Sequence, residues 1–350
     1  MKGTGTGDLD QRKAYILATV VYEYIATGEP VGSQTLTQKY GLGISSATVR
    51  NEMAELEAAG YLVQPHTSAG RVPSDAGYRT FVDDLMAPEK LLFDERRRIR
   101  DELHDASREL DELIDSTSRL LGRLSNNLAF VTRPQPDSHE FRHIQLIWLT
   151  SRTGVGIVVT SLGVAAQSLF ELTTDVKPDD MTRLSNALNV RLANHRLADI
   201  GEDDIAAAVA ELQLSDDLRN AVVTALRSAR SDEAPMVAAA GAQNLLDQPE
   251  FRDLRKLRSI LRIVEEQKTL YDLVADAMAA EQPSVKIGHE LQHDELVDLS
   301  VVTVPYRFGP HAVGMLSILG PRRMPYARLM ALASGTAETL SERLSDVEIK

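Results

Sequence analysis

The 350-residue sequence contains no cysteine. This absence excludes a disulfide framework, a thiolate metal site and a cysteine nucleophile. The sequence also lacks any apolar run near the ~18 residues that a membrane-spanning helix needs, since stretches such as LIWL are far shorter. The opening segment MKGTGTGDLDQ has no apolar core of a secretion signal, so we expect a cytoplasmic protein.

Basic residues are scarce as well. Lysine and arginine number 38 against 51 aspartates and glutamates, which gives a formal net charge of -13. The first 86 residues share the deficit, with seven basic positions (2, 12, 13, 39, 50, 71, 79) and ten acidic ones (8, 10, 23, 29, 52, 55, 57, 75, 83, 84). Because non-specific DNA binding depends on a basic surface, charge alone argues against it. The length predicts two or three domains.

The first 87 residues nevertheless have the pattern of a winged helix. A first helix ends at Gly28, a second begins at an N-cap at Ser33 and ends at Gly41, and a third is capped by Ser45. YLVQ and RVP then form strands on either side of the polar tip PHTSAG. SDAGYRTFVDDLM follows as a helix capped at Ser74. Modules of this kind bind either DNA or other proteins.

The third helix has a face suited to the major groove of DNA. Val49, Met53 and Leu56 fall on one side, whereas small residues lie opposite with Arg50 and Asn51. Arginine pairs well with guanine and asparagine with adenine, and recognition helices use their N-terminal residues. The predicted contacts in this helix are Ser45, Ser46, Ala47, Thr48, Arg50 and Asn51. Those in the second helix and the wing are Ser33, Gln34, His66, Thr67, Ser68, Gly70 and Arg71.

Beyond residue 87 the pattern is mixed. A heptad of Ile99, Leu103, Ala106, Leu110, Leu113, Thr117, Leu120 and Leu124 predicts one long helix reaching about Leu128. The helix either packs on its own domain or forms a dimer seam. Strand-like runs from Arg142 predict an antiparallel meander, and strand character returns at PMVAAAG after a helical block. A mixed sheet flanked by helices and interrupted by a helical insertion is the simplest arrangement.

Three segments identify a family resemblance. TGEPVGSQTL, ISSATVRNEMAELEAAGYLVQPHTSAGRVPSDAGYRTFVD and GPRRMPYARLM resemble the HrcA family of heat-inducible transcription repressors. The likeness implies an α+β multidomain protein that begins with a winged helix-turn-helix DNA-binding domain at 1–87. The long helix and the first part of a GAF-like mixed α/β domain follow at 88–174, a helical/β dimerising domain is inserted at 175–240, and the second part of the GAF-like domain is at 241–350. It further implies a homodimer that represses chaperone genes at an inverted-repeat operator, the CIRCE element, with help from a GroEL-type chaperonin. Such a protein is cytoplasmic, and nucleoid-associated when bound to DNA.

Two rival interpretations depend on other features. His289-Glu290-Leu291-Gln292-His293 matches the H-E-x-x-H pattern of zinc proteases, but a strand leads directly into it and no suitably spaced third ligand follows, so we expect a polar loop or short helix. We therefore expect no enzyme, metal or cofactor. A GAF-like sheet could also serve a metabolite-sensing transcription regulator. Arg322 and Arg323 form either a capped turn or a dimer or chaperonin contact.

Overall fold

The computed structural model describes residues 9–346, except for 68, 107–108, 135–139, 162, 231–236, 247, 252–257, 259–260, 265 and 309–310. The described chain forms three bodies of secondary structure: an N-terminal unit (residues 9–86), a five-stranded sheet with its helices, and a smaller three-stranded sheet with its helices. No described helix is both long enough and apolar enough to span a bilayer.

The N-terminal unit has the predicted order of elements. Its helices are α1 (Gln11–Thr27), α2 (Ser33–Tyr40), α3 (Ser46–Ala58) and α4 (Asp75–Thr80), with strands β1 (Leu62–Val63) and β2 (Val72–Pro73) paired antiparallel before α4. A π-helical turn at Phe81–Leu85 continues α4. Gly28 and Gly41 end α1 and α2 with φ of 70° and 56°, the left-handed conformation that glycine adopts without strain. The predicted cap at Ser33 is wrong by one residue, because Gly32 is the N-cap.

The predicted long helix is interrupted. The chain forms α5 (Phe93–His104) and α6 (Leu110–Ser125), with Asp105 at the C-cap of α5. Heptad residues Ile99, Leu103 and Leu113 are buried within this chain, because both helices pack on the C-terminal helix α13 (Tyr326–Asp346). The heptad therefore reflects packing on the protein's own core.

After β3 (Leu128–Thr132) the chain builds the three-stranded unit, residues 140–230. It contains β4 (Phe141–Thr150), β5 (Thr153–Thr160), β6 (Gly163–Glu171), α7 (Pro178–Leu192), α8 (Glu202–Glu211) and α9 (Asp216–Arg230). The three strands form the predicted antiparallel meander. Their buried side chains, such as Phe141 and Val158, share a core with Leu184 and Val222 of the helices. The predicted boundary at residue 174 thus cuts through one core, because the pattern of a strand does not tell which sheet it joins.

The remaining elements complete the five-stranded sheet. They are β7 (Val237–Ala240), α10 (Ala242–Leu246), α11 (Gln267–Asp272), α12 (Ala275–Ala280), β8 (Ser284–Ile287), β9 (Leu299–Phe308) and β10 (His311–Pro321). The strand order is β7-β3-β10-β9-β8 and every pairing is antiparallel, so the expectation of a mixed sheet is wrong. Between β7 and β8 the described residues also include a 3-10 turn at Pro249–Phe251.

Both faces of this sheet are covered by side chains. Val131, Val302 and Ile318 point to the face packed by α6 and α13. Phe130, Val301 and Leu319 point to the opposite face, where they meet side chains of α10, α11 and α12. Strand residues alternate between the two sets, as the two-residue period of a strand requires.

One hydrophobic cluster joins the N-terminal unit to the sheet. It runs from Leu17 and Leu36 through Phe81 and Leu91 to side chains of α13 and the sheet, such as Leu329. The three-stranded unit has a separate cluster, and a third lies on the opposite face of the five-stranded sheet. The N-terminal unit is therefore continuous with the main core.

Candidate nucleic-acid interface

The N-terminal half of α3 forms an exposed, capped surface. The Ser45 side chain accepts a hydrogen bond from the Thr48 backbone N at 3.1 Å, and the two hydroxyls lie 2.9 Å apart. Ala47, Arg50 and Asn51 are exposed, opposite the buried side chain of Val49. This end of the helix is also the positive end of its dipole, which favours an anionic ligand.

Ser33 lies inside the unit rather than on this surface. Only 8% of the residue is exposed, and its hydroxyl lies 3.0 Å from the Ser46 hydroxyl. The pair joins the start of α2 to the start of α3. The neighbouring Gln34 is exposed. Of the two α2 residues predicted to contact DNA, Gln34 is therefore the one presented to a ligand.

The hairpin tip is organised by a residue that the sequence did not single out. The Gln64 side-chain Nε2 donates to the carbonyls of Thr67 at 3.2 Å and Ala69 at 3.0 Å. The Ala69 N donates to the His66 carbonyl at 2.8 Å, which closes a turn. His66 and Thr67 are exposed at the tip, whereas Ser68 lies outside the described residues. The sequence signal for this role is the position of Gln64, an amide side chain directly before the polar tip PHTSAG.

Gly70 is required for space. The backbones of Val31 and Arg71 exchange two hydrogen bonds of 2.9 Å, which bring the hairpin against the segment before α2. A Cβ at Gly70 would lie 2.7 Å from the Pro30 carbonyl oxygen and would clash with that of Val31. Gly70 does not have the left-handed conformation that a tight turn would demand. The close approach of two backbones, rather than a turn, explains the glycine.

Arg71 is engaged within the protein. Its Nε lies 2.9 Å and its second terminal nitrogen 2.7 Å from Glu57 Oε2. The Arg71 side chain is 15% exposed. The pair ties the returning strand of the hairpin to the last turn of α3, so the guanidinium holds the hairpin in place against the helix.

The other lysines and arginines of the N-terminal unit, except Arg50, are also paired with carboxylates. The carboxylate partners, with shortest distances, are Glu52 for Arg12 (3.5 Å), Glu55 for Lys13 (2.8 Å), Glu23 for Lys39 (2.6 Å) and Glu290 for Arg79. Among the described residues, Arg50 alone of the unit's basic side chains has no carboxylate partner within 4.0 Å. All three glutamates of α3 face a cation, which locally offsets the acidic charge.

A buried carboxylate links α1 to α2. Glu23 is 5% exposed, and its Oε2 accepts from Lys39 Nζ at 2.6 Å and from the Tyr40 hydroxyl at 2.7 Å. The bonds from Lys39 and Tyr40 hold the Glu23 pKa below its ordinary value. Burial and the bond to Glu23 raise the pKa of Tyr40 to about 12.

Comparison with known proteins shows the family. The chain is 36% identical over 340 residues to the heat-inducible transcription repressor HrcA of Pelotomaculum thermopropionicum, covering 97% of this chain and 98% of that protein. It is 35% identical over 337 residues to the repressor of the same name from Geobacter sulfurreducens, covering 96% and 98%. The family profile described as the HrcA protein C terminal domain matches residues 111–330. The chain belongs to the HrcA family.

A solved structure supports the fold of this HrcA-family chain. A protein described as hypothetical superimposes with a TM-score of 0.59 at 24% identity, covering 97% of this chain and all of that one. The curated HrcA relatives are named as transcription repressors, and HrcA is not an enzyme family, which confirms the expectation of a non-enzymatic protein.

The H-E-x-x-H segment has a structural role in this HrcA chain. It begins on a 3-10 turn (Gly288–Leu291) directly after β8, as expected, and the second histidine lies beyond that turn. The His289 Nδ1 lies 2.7 Å from Asp75 Oδ2, and Glu290 is ion-paired with Arg79. The described residues contain no group of three or more side chains arranged to hold a metal ion.

The paired arginines of GPRRMPY also contact residues of this chain. Arg322 bonds Asp75 at 2.7 Å, and Arg323 bonds Gln248 at 3.1 Å and pairs with Glu250. They occupy the turn between β10 and α13, where one of them reaches the N-terminal unit. These contacts favour the turn over a surface held open for a partner.

Proposed function

We propose that the chain is a sequence-specific transcription repressor that binds operator DNA through its N-terminal unit, as a winged helix-turn-helix domain. The observation that carries the proposal is Arg50. It is exposed in the first half of a capped helix and has no carboxylate partner among the described residues, whereas every glutamate of that helix faces a cation. A free guanidinium at that place suits a guanine edge or a phosphate.

In this proposal α3 enters the major groove. Arg50 and Asn51 contact base edges, and the small residues Ser46, Ala47 and Thr48 permit close approach, with Ser45 as the cap. Gln34 and the wing residues His66 and Thr67 reach flanking phosphates, since they are exposed. Gly70 and Arg71 act by shaping the wing.

We further propose that the repressor acts as a homodimer on an inverted repeat. A single short recognition helix with one unpaired arginine contacts few phosphates, whereas two linked copies double those contacts and add effective concentration. The three-stranded unit is the proposed dimerising domain. It presents exposed large apolar side chains, namely Ile147, Trp148, Leu149, Leu169 and Val190.

The proposed regulation follows the family resemblance. The repressed genes are those of heat-shock chaperones, the operator is the CIRCE element, and a GroEL-type chaperonin helps the repressor to reach its active form in the cytoplasm. The alternative of a metabolite sensor requires a binding cavity at the GAF-like sheet. Helices pack on both faces of that sheet, and this packing supports a repressor that does not hold a metabolite there. A thermal-shift screen against metabolites separates the two, since only a sensor is stabilised.

The decisive experiment is a salt titration of binding to an inverted-repeat operator duplex and a scrambled duplex, with and without chaperonin. We expect operator binding at least ~10³-fold tighter than scrambled binding, as specific readers show. Tighter operator binding with chaperonin supports the regulation. Equal, weak binding to both duplexes under every condition contradicts the proposal.

A further inference from the structure

The N-terminal unit meets the five-stranded sheet through helix α4. Asp75 and Arg79 lie one turn apart on this helix and both reach residues that follow β8. Residues three or four apart share one face of a helix, so the two side chains act on the same surface. The partners are His289, Glu290 and Arg322, and we call these five residues the junction clasp.

Arg79 uses its whole guanidinium at this junction. Its Nε donates to Glu290 Oε1 at 2.9 Å and a terminal nitrogen donates to the Val285 carbonyl at 2.6 Å. The other terminal nitrogen donates to Asp83 Oδ1 at 3.0 Å. Glu290 also accepts from the Ile287 backbone N at 2.9 Å. Such a multidentate arginine defines orientation as well as proximity, because its donors are rigidly disposed.

Asp75 is bound from two sides. Its Oδ1 accepts from Arg322 at 2.7 Å, and its Oδ2 accepts from the His289 backbone N at 3.1 Å and lies 2.7 Å from the ring Nδ1. Gly288 has a φ of 53°, and a Cβ there would lie 2.7 Å from the Asp75 Cγ. Only glycine therefore permits this approach of the turn to the carboxylate.

Beneath the ion pairs lies an aromatic contact. Tyr78 of α4 is 1% exposed and meets Tyr326 edge to face, with ring centroids 6.0 Å apart. The Tyr326 hydroxyl lies 2.9 Å from the Ser300 hydroxyl. A buried aromatic pair enclosed by directional ion pairs gives the junction one preferred geometry.

We propose that the junction clasp fixes the orientation of the recognition helix relative to the sheet and thereby determines which half-site spacing the dimer accepts. This inference rests on the proposed function. In a symmetric dimer the distance between the two recognition helices must match the helical repeat between half-sites. An N-terminal unit held at one angle to the sheet accepts one half-site spacing, whereas an N-terminal unit whose angle varies can bind several spacings.

The clasp residues act on geometry alone, because they lie apart from the surface of α3. Breaking the clasp therefore leaves the contacts of each N-terminal unit with its half-site unchanged. The dimer loses its preference among spacings instead. A residue that contacted DNA directly would weaken binding to an isolated half-site as well, which distinguishes the two roles.

The test compares Arg79→Glu, Glu290→Arg and the double exchange on duplexes with the natural half-site spacing, with spacings lengthened or shortened by several base pairs, and with one half-site. We expect each single variant to lose at least tenfold of the spacing preference with half-site affinity unchanged. The double exchange should recover part of that preference, because it restores the ion pair but not the bonds to the Val285 carbonyl, Asp83 and the Ile287 N. Exchange of the exposed Arg97–Asp101 pair of α5 is the matched control. A wild-type spacing preference in the single variants overturns the proposal.

A second measurement does not depend on DNA. Since the chain has no cysteine, Gln38→Cys and Ser345→Cys place one spin label on α2 and one on α13 without background. With labelled chains diluted in unlabelled ones, the distance distribution should be narrow in the wild type, broad with Glu290→Gln and of intermediate width in the double exchange of Arg79 and Glu290. An unchanged distribution overturns the clasp. If the wild type fails to prefer the operator, the proposed function fails while the label distances still decide the role of the clasp.

Discussion

At the scale of single residues, pairing distinguishes the basic side chains of the N-terminal unit. An arginine that already bonds a carboxylate must break that bond to reach a phosphate, so the new contact adds little to the free energy of DNA binding. Arg50 has no such bond among the described residues, whereas Arg71 has two to Glu57. The count of charges in the sequence hides this difference, because it treats both residues alike.

We expect Arg50→Ala to weaken operator binding by about 1–3 kcal/mol and to relax the preference at one base pair of each half-site, as loss of a bidentate base contact does. Fluorescence anisotropy with operator duplexes substituted at each position measures both effects. Arg97→Ala, which removes an exposed arginine of α5, is the control and should bind as the wild type. Unaltered affinity and specificity of Arg50→Ala would remove this residue from the interface.

The buried Glu23 predicts an acid-dependent stability. Because its pKa is lower in the folded protein than its ordinary value of 4.5, ionised Glu23 stabilises the fold above that pH, and the stabilisation is lost as the pH falls through the lowered pKa. Glu23→Gln should lower the free energy of unfolding by about 1–3 kcal/mol at pH 7, and the free energy of unfolding should then fall less steeply as the pH becomes acidic. Urea unfolding from pH 7 to 3 measures it, with the exposed Glu29→Gln as control. A free energy of unfolding that falls as steeply with acid as that of the wild type would contradict this role.

At the scale of elements, the hairpin of β1 and β2 depends on its attachments to the helices. Arg71 bonds the end of α3, and its backbone bonds Val31 before α2. The tip itself is closed by Gln64. These contacts face inward and hold the hairpin in position, which leaves its tip exposed.

We expect Arg71→Ala and Glu57→Ala to weaken operator binding by similar factors, and the double variant to be no worse than either, because both remove one attachment. The dependence of the binding constant on salt should stay the same. A phosphate contact by Arg71 would instead flatten that slope by about one in Arg71→Ala alone. Salt titrations of the three variants distinguish these cases.

Gly70→Ala should lower the free energy of unfolding by about 1–3 kcal/mol, since the new Cβ has to push the hairpin away from the segment before α2. Gly32→Ala is the matched control, because its Cβ would meet no atom closer than 3.8 Å, the Thr35 hydroxyl oxygen, and it should show only the smaller cost of alanine at an N-cap. Urea denaturation compares the two. Equal losses of unfolding free energy in the two variants would mean that the hairpin moves to make room for the Gly70→Ala side chain without a further cost.

Elements were predictable where their signals are local. Glycines 28 and 41 and serines 45 and 74 end or begin helices as expected, because capping depends on a few neighbouring atoms. The break between α5 and α6 was not predictable, because both halves keep an apolar face toward α13 and the heptad continues across it. Neither glycine nor proline marks this interruption in the sequence.

At the scale of the whole molecule, the sequence contained the resemblance but not the contacts between distant segments. Arg79 and Glu290 are 211 residues apart, and neither pattern nor composition relates them. The same limit explains the misplaced boundary at residue 174 and the expectation of a mixed sheet. The exposed face of α3 was predictable from its helical period, whereas the neutralising partners of its glutamates were not.

The hydrophobic cluster shared by the N-terminal unit and the sheet has a consequence for unfolding. Because Phe81 and Leu91 continue the core from one to the other, the N-terminal unit should not unfold by itself. The three-stranded unit, with its own cluster, should open as a separate cooperative block. Native-state hydrogen exchange along a denaturant series should show two such blocks, with residues 9–86 protected together with the sheet. Early loss of protection from hydrogen exchange in the N-terminal unit alone would contradict this coupling. Because the N-terminal unit shares this core, we expect heating to disrupt the proposed DNA-binding surface only when the five-stranded sheet itself unfolds, and not by fraying of the N-terminal end.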